Sequence, residues 1–434
     1  MRVYDIILKK RNGEKLTREE IEYMIMGYVK GEIPDYQMSA FLMAIYFQHL
    51  DEEETYFFTE TMMRSGETLD LSSIPGKKVD KHSTGGVGDK TTLVVAPLVA
   101  SCGVTVAKMS GRALGHTGGT IDKLESIPGF RTSLSFEEFI SNVKKHGIAV
   151  VGQTGELVPA DKKIYALRDA TATVDEVSLI ASSIMSKKLA GGSDAFVLDV
   201  KFGSGAFMKS KEKAKELAKM MVNIGKLHGK RTVAILSSMD QPLGRMVGNS
   251  LEVIEAIEAL KGKGPEDLTE LSLCLASYML YLAGVSDLKD AERILRSKIE
   301  SGEALEKFRE MIEAQGGDAR IIEDHSLLPI SKNVEEVLSD KEGFVEKMDT
   351  EKIGVASMVL GAGRKKKEDE IDHSVGVEVL KKLGDRVSKG EPLVKLYCSE
   401  KSDVETAKKL IKSAYSISEQ PLEEEFKLIH EVIE

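Results

Sequence analysis

The stretch "VDKHSTGGVGDKTTL", Val79 to Leu93, decides how this chain is read. An apolar-led run ends in a lysine, a histidine and hydroxyls. It then passes through three glycines into "TTLVVAPLVASCG", which reads as an apolar helix. Glycines let main-chain N–H groups approach an oxyanion, and a following helix N-terminus adds a favourable dipole. A second stretch, "KMSGRALGHTGGTIDK" (Lys108 to Lys123), has the same make-up about thirty residues later. Two such loops point to one anion held from two sides. Lys81 supplies charge, and Ser83, Thr92, Ser110 and Thr120 supply hydroxyls. The plain alternative is two ordinary turns. A nucleotide P-loop needs glycine directly before Lys-Thr, but here Asp89 precedes Lys90 and Thr91. No GxGxxG occurs either, which weakens a dinucleotide fold.

Around these loops, short β-rich runs alternate with helical runs: "TVAKMS", "FEEFISNVKKHG", "IAVVGQ", "DAFVLDVKFG", "RTVAILSS". Such alternation predicts a mostly parallel sheet covered by helices, with ligands at the carboxyl ends of the strands. Both glycine-rich loops fall at such ends. Upstream, the first 65 residues read as helices, one opened by a capping box of Thr17 and Glu20. Ser65 to Lys78 is a turn-rich linker. "LRDATATVDEVSLIASSIMSKKLAGG" is helical and breaks the alternation, so it is expected to return to the N-terminal helices. Helices also fill 250–315, and "GVEVLKKLGDRVSKGEPLVKLY" alternates like a compact β module. The expected fold is therefore α/β. A small helical domain (1–65, joined by 163–193) accompanies a large α/β domain (75–162 and 194–330). A C-terminal α+β module (331–434) contains a β-rich, barrel-sandwich-like part. Two or three domains also suit the length, at roughly 150 residues each.

Of the 434 residues, 42% are hydrophobic, enough for sizeable cores, and the formal net charge is −10. That charge argues against nucleic acid as a partner, because duplex binding needs a basic footprint. Cys102, Cys274 and Cys398 are far apart, show no metal spacing and read as free thiols in a reducing compartment. The N-terminus lacks signal-peptide architecture. The apolar run "MSAFLMAIYF" is ten residues, against the ~20 a membrane span needs. A soluble, cytoplasmic protein without membrane contact is expected. No HExxH, Cys/His cluster or GxSxG is present, which disfavours zinc enzymes and serine hydrolases.

His82 stands beside Lys81 at an expected strand end, where a histidine can act as an acid or orient a substrate; a structural role is equally open. Ser183 and Lys187, four residues apart, share a helix face, and Arg168 lies fifteen residues earlier. Their donors suit a planar polar heterocycle. An exposed helix with stray cations is the bland alternative, and the residues alone leave it standing.

Taken together, "DKHSTGGVGDKTTL", "KMSGRALGHTGGTIDKLESIPGF", "YALRDATATV" and "DVKFGSGAFMK" resemble the pyrimidine nucleoside phosphorylase and thymidine phosphorylase family over essentially the whole chain. The resemblance implies reversible phosphorolysis of uridine, thymidine or deoxyuridine, giving the free base and α-pentose 1-phosphate. It implies phosphate as co-substrate, no organic cofactor and a homodimer. Lys81, Ser83, Thr92, Ser110 and Thr120 match the family's phosphate site. Arg168, Ser183 and Lys187 match its pyrimidine site, with Tyr165 as a ring neighbour, and His82 matches a histidine near base and sugar. Lys108, two residues before Ser110 on the same strand face, is expected on the phosphate and sugar side. It resembles the broad-specificity branch of the family. Some members also hold a monovalent cation, potassium, at positions matching Gly88, Lys90, Leu243, Met246 and Glu255. Lys90 stands where threonine is frequent, and its ammonium opposes a cation there.

Two rival classes remain. A phosphoribosyltransferase of related fold would show acidic metal-binding pairs near the loop. A biotinyl- or lipoyl-type carrier would need an exposed lysine at a hairpin tip, and "RKKKEDE" carries no recognisable attachment motif.

Overall fold

A computed structural model describes residues 1–112, 118–153, 157–364, 366 and 369–434. The chain begins with four helices: α1 (Val3–Arg11), α2 (Arg18–Lys30), α3 (Asp35–Gln48) and α4 (Glu52–Met63). Thr17 and Glu20 form the expected capping box of α2, and Asp51 and Glu54 form another at α4. Helix α1 was not foreseen. It is held by Ile6 in the core and by Lys10, whose buried ammonium bonds both Glu54 oxygens at 2.9 Å.

Next come β1 (Val79–Ser83), α5 (Thr91–Ser101), β2 (Val106–Ser110), α6 (Thr120–Glu125), α7 (Phe136–His146) and β3 (Ile148–Gly152). Then follow α8 (Pro159–Ala170), α9 (Val177–Ala190), β4 (Ala195–Phe202), α10 (Lys211–Leu227) and β5 (Arg231–Ser238). Strands β1, β4 and β5 pair in parallel, as do β2 and β3. A parallel bridge between Lys78 and Thr105 joins the two groups. Strand β4 is buried along its whole length, as a sheet covered on both faces requires. The expected strand–helix alternation is therefore realised. Strand β1 runs further than expected, so Lys81, His82 and Ser83 belong to the strand and not to the loop after it.

Helices α8 and α9 leave the sheet and pack on the N-terminal helices. Leu157, Ile164 and Leu179 share one core with Ile21, Phe41 and Phe58. Beyond β5 come α11 (Asn249–Leu260) and three more helices through Ala314, then short antiparallel strands between Asn333 and Ser418. The last strand, Ile429–Ile433, leaves that module and pairs antiparallel with β5 at the edge of the main sheet. Covering an edge in this way removes a row of unpaired main-chain groups. Among the described residues, no single helix is long and apolar enough to cross a membrane.

Candidate active site

A cavity of about 330 Å³ opens where β1 and β2 end and faces α8 and α9. From the sheet side, His82, Ser83, Thr92, Lys108, Ser110 and Thr120 line it. From the helical side come Tyr165, Arg168, Ser183 and Lys187. The topology brings these together because parallel strands expose their carboxyl ends at one edge, over which the returning helix pair lies.

Lys81 is placed differently from the expectation. Its side chain is buried and borders a small void of about 10 Å³ beneath the cavity, alongside Thr92 and Lys108. The ammonium donates to Thr91 Oγ1 and lies 3.8 Å from Asp89 and 4.0 Å from Asp199. Burial holds its pKa below the ordinary lysine value despite those carboxylates. The Lys81 charge thus lies below the floor of the cavity.

Lys108 of β2 and Lys188 of α9 are braced by one carboxylate of β1. Lys108 donates to Asp80 Oδ1 at 3.2 Å, and Lys188 to Asp80 Oδ2 at 2.8 Å. Burial pulls Lys108 down to about 7, with Asp80 opposing the shift and Lys188 and Lys81 adding to it. Asp89 is buried too, yet Lys81, Lys201 and Lys123 hold its carboxyl well below the usual range. Asp89 Oδ1 accepts from the Thr91 main-chain N–H at 3.2 Å, which ties the loop to the start of α5.

Burial and the surrounding lysines, Lys188 and Lys108 foremost, push His82 well below 6.5. The imidazole is therefore neutral near pH 7. It can orient a ligand by donating and accepting hydrogen bonds, and it does not serve as a cationic acid in the unliganded enzyme.

On the helical side, Arg168 is buried among main-chain carbonyls. Its Nε donates to Thr173 O at 3.2 Å, Nη1 to Leu179 O at 3.1 Å and Nη2 to Val174 O at 2.5 Å. A guanidinium has five N–H groups, so two remain for a ligand. Lys187 Nζ bonds Ser183 Oγ at 3.1 Å, one helical turn away, and Asp161 Oδ2 at 2.5 Å. The Arg168 guanidinium lies 5.8 Å from the centre of the Tyr165 ring. Donors from two helices thus converge on one wall, and the reading of an exposed helix with stray cations falls away.

Several lining residues escaped the sequence reading. Asp80 and Lys188 are 108 positions apart, and nothing local links them. Asp161 is visible only as the Lys187 partner. Phe207 and Met208 line the cavity from the loop after β4, and the quoted "DVKFGSGAFMK" was their one signal.

The expected cation site needs correction. Lys90, Leu243, Met246 and Glu255 do converge, and Gly88 packs against them. The group at their centre is the Lys90 ammonium. It donates to Leu243 O at 2.8 Å, Met246 O at 2.9 Å and Glu255 Oε2 at 2.5 Å. The donor set that would hold a metal ion already holds a side-chain cation, so potassium does not fit. Among the described residues, no group of His, Cys, Asp or Glu could hold a metal ion either. Parts of the second glycine-rich loop (113–117) and of "RKKKEDE" (365, 367 and 368), together with residues 154–156, lie outside the described residues.

Three family descriptions match in chain order. They are the glycosyl transferase family helical bundle domain (4–66), the glycosyl transferase family a/b domain (75–305) and the pyrimidine nucleoside phosphorylase C-terminal domain (344–418). The chain is 56% identical over 424 residues to a pyrimidine-nucleoside phosphorylase of Geobacillus stearothermophilus, covering 98% of each chain. It is 55% identical over 434 residues to that of Bacillus subtilis (strain 168), covering 100% of each. An anthranilate phosphoribosyltransferase structure from Thermus thermophilus shares the fold, with a TM-score of 0.58 at 20% identity. That match covers 72% of this chain and 99% of the other.

Proposed function

The chain belongs to the pyrimidine-nucleoside phosphorylase family, and on that premise we propose that it catalyses the reversible phosphorolysis of pyrimidine nucleosides. Uridine, thymidine and deoxyuridine are the substrates, and the products are the free base and α-D-(deoxy)ribose 1-phosphate. One observation supports this best. A single cavity has hydroxyls and buried lysines on its sheet wall and Arg168, Ser183 and Lys187 on the helical wall. An oxyanion and a planar polar base are thereby held face to face.

In the proposed step, a phosphate oxygen forms a bond to C1′ as the C1′–N1 bond breaks. The bonding pair leaves with the base, and attack from the opposite face inverts the anomeric centre. Ser83, Ser110 and Thr120 hold the phosphate, and Lys81 and Lys108 balance its charge. The two free N–H groups of Arg168, with Lys187 and Ser183, receive the negative charge that grows on the base. Donors aimed at charge that appears in the transition state lower the barrier more than they favour the ground state. Neutral His82 orients the base and sugar. Phosphate is the co-substrate, and no organic cofactor enters.

The phosphoribosyltransferase alternative is not favoured. The carboxylates beside the first loop, Asp80 and Asp89, are engaged by lysines and by the α5 N-terminus. The protein is also proposed to be a cytoplasmic homodimer, and its free Cys102, Cys274 and Cys398 agree with a reducing compartment. The test is base release from a panel of nucleosides with and without phosphate. Uracil or thymine should appear only with phosphate, in step with pentose 1-phosphate. Equal release without phosphate would sink the reading.

A further inference from the structure

We propose that the Lys90 ammonium is a built-in cation that braces the anion-binding loop from behind, so that this chain needs no monovalent metal ion. The cage is complete. An ammonium has three N–H groups, and Lys90 meets three acceptors: Leu243 O, Met246 O and Glu255 Oε2. Its side chain is fully buried. Glu255 is also satisfied, because it accepts from the main-chain N–H of Arg245 at 2.8 Å and of Met246 at 3.1 Å.

The surroundings leave no space for a second cation. A Cβ on Gly244 would lie 2.3 Å from Glu255 Oε2 and 2.9 Å from Lys90 Nζ. One on Gly88 would lie 2.6 Å from Leu243 O. Both glycines have positive φ, +69° and +75°, so chain conformation and close packing both require glycine there. The ammonium of Lys382, paired with Asp267, adds positive charge from the C-terminal module.

The brace reaches the active site through the main chain. Lys90 immediately precedes α5. Asp89 before it and Thr92 after it line the cavity, and Thr91 between them accepts from Lys81. Leu243 N–H also donates to Val87 O at 3.1 Å, so the same clamp holds the loop at its middle as well as at its junction with α5. Two carbonyls and a carboxylate can satisfy a hard cation of any origin. A cation carried on the chain is present at a high effective concentration without ions in solution.

The test compares wild type, Lys90→Thr and Lys90→Met in potassium, sodium and choline chloride at equal ionic strength. Each is read by melting temperature and by KM for phosphate. Wild type should show the same melting temperature and KM in all three salts. Lys90→Thr, which opens the cage, should melt roughly 5–10 °C lower in choline, as expected for breaking a buried ion pair. Potassium should restore most of that loss and lower the phosphate KM. Lys90→Met should be destabilised without rescue by any salt. A wild-type melting temperature that rises with potassium over choline would overturn the proposal, even if neither variant folds. So would a Lys90→Thr variant as stable as wild type in choline. The melting arm does not depend on which reaction the enzyme catalyses, so it can fail or succeed separately from the function proposed above.

Discussion

The two walls of the cavity hold their positive charge with different partners. On the sheet wall every buried lysine has a carboxylate near it. Lys108 shares Asp80 with Lys188, which reaches across from α9, and Lys81 lies between Asp89 and Asp199. On the helical wall Lys187 is paired with Asp161, whereas Arg168 donates its hydrogen bonds to carbonyl oxygens. A carboxylate largely cancels a lysine's field, whereas carbonyl dipoles stabilise a guanidinium and leave its net charge in place. Under the proposed reaction, the Arg168 guanidinium is therefore the group on the helical wall suited to negative charge that grows on the base.

The largest expected effect breaks the helical wall. Arg168→Leu removes the uncancelled charge and orphans three buried carbonyls. It should lower kcat/KM for uridine by about a hundredfold to a thousandfold, as read from steady-state phosphorolysis. Arg168→Lys should recover little, because an ammonium cannot reproduce the planar fork that reaches Thr173, Val174 and Leu179 together. Recovery to near wild-type rates would mean that charge alone matters there.

Next in size is Lys81→Ala on the sheet wall. Removing a buried charge that balances the phosphate from below the floor should cost about 2–4 kcal/mol, or roughly a hundredfold, in kcat/KM for phosphate. The loss should appear in both KM and kcat, since Lys81 acts on phosphate in ground and transition states. If only stability changed, the charge beneath the floor would be structural.

Lys108→Met sharpens the contrast further. The ammonium lines the cavity and can keep water or a 2′-hydroxyl satisfied, which a thioether cannot. An unpaired buried hydroxyl costs roughly 1–3 kcal/mol. The variant should therefore lose about fivefold to a hundredfold more kcat/KM on uridine than on thymidine. Equal losses on both would leave Lys108 a charge-balancing role only.

The smallest effect is in pH. With its value near 7, Lys108 loses its proton as pH rises through neutrality. Phosphate binding to the free enzyme should then weaken several-fold on the alkaline side. Phosphate's own titration is common to wild type and Lys108→Met, so the difference between their profiles isolates the lysine. The stability sign is opposite. The folded value lies below the ordinary 10.5, so the unfolded chain binds more protons between those values. This group's contribution to stability should accordingly rise from about pH 7 to about pH 10, a rise that urea melts would detect and that Lys108→Met should lack.

Much of the site was legible because its signals are local. Strand, glycine-rich turn and helix follow one another within Val79 to Ser101, and Ser183 and Lys187 declare a shared face by spacing. The capping box at Thr17 and the strand–helix alternation were readable for the same reason. What escaped was pairing at a distance. Lys81 reads as the charge of the anion loop, yet the fold seats its ammonium below the floor, beside Thr91, Asp89 and Asp199. The last strand lies against β5 although almost two hundred residues separate them.

The sequence by itself determined the class of the protein: the strand-end anion loops, the returning helix pair and the family to which these motifs belong. Those are properties of neighbours along the chain, where propensity and spacing act directly. Tertiary structure alone decided what each buried cation is for. Lys90 looked like an obstacle to a bound cation, and across 165 residues it meets Glu255 and takes the cation's place. A buried charge is tolerated only with partners, and partners are supplied by the fold, not by adjacency in the chain.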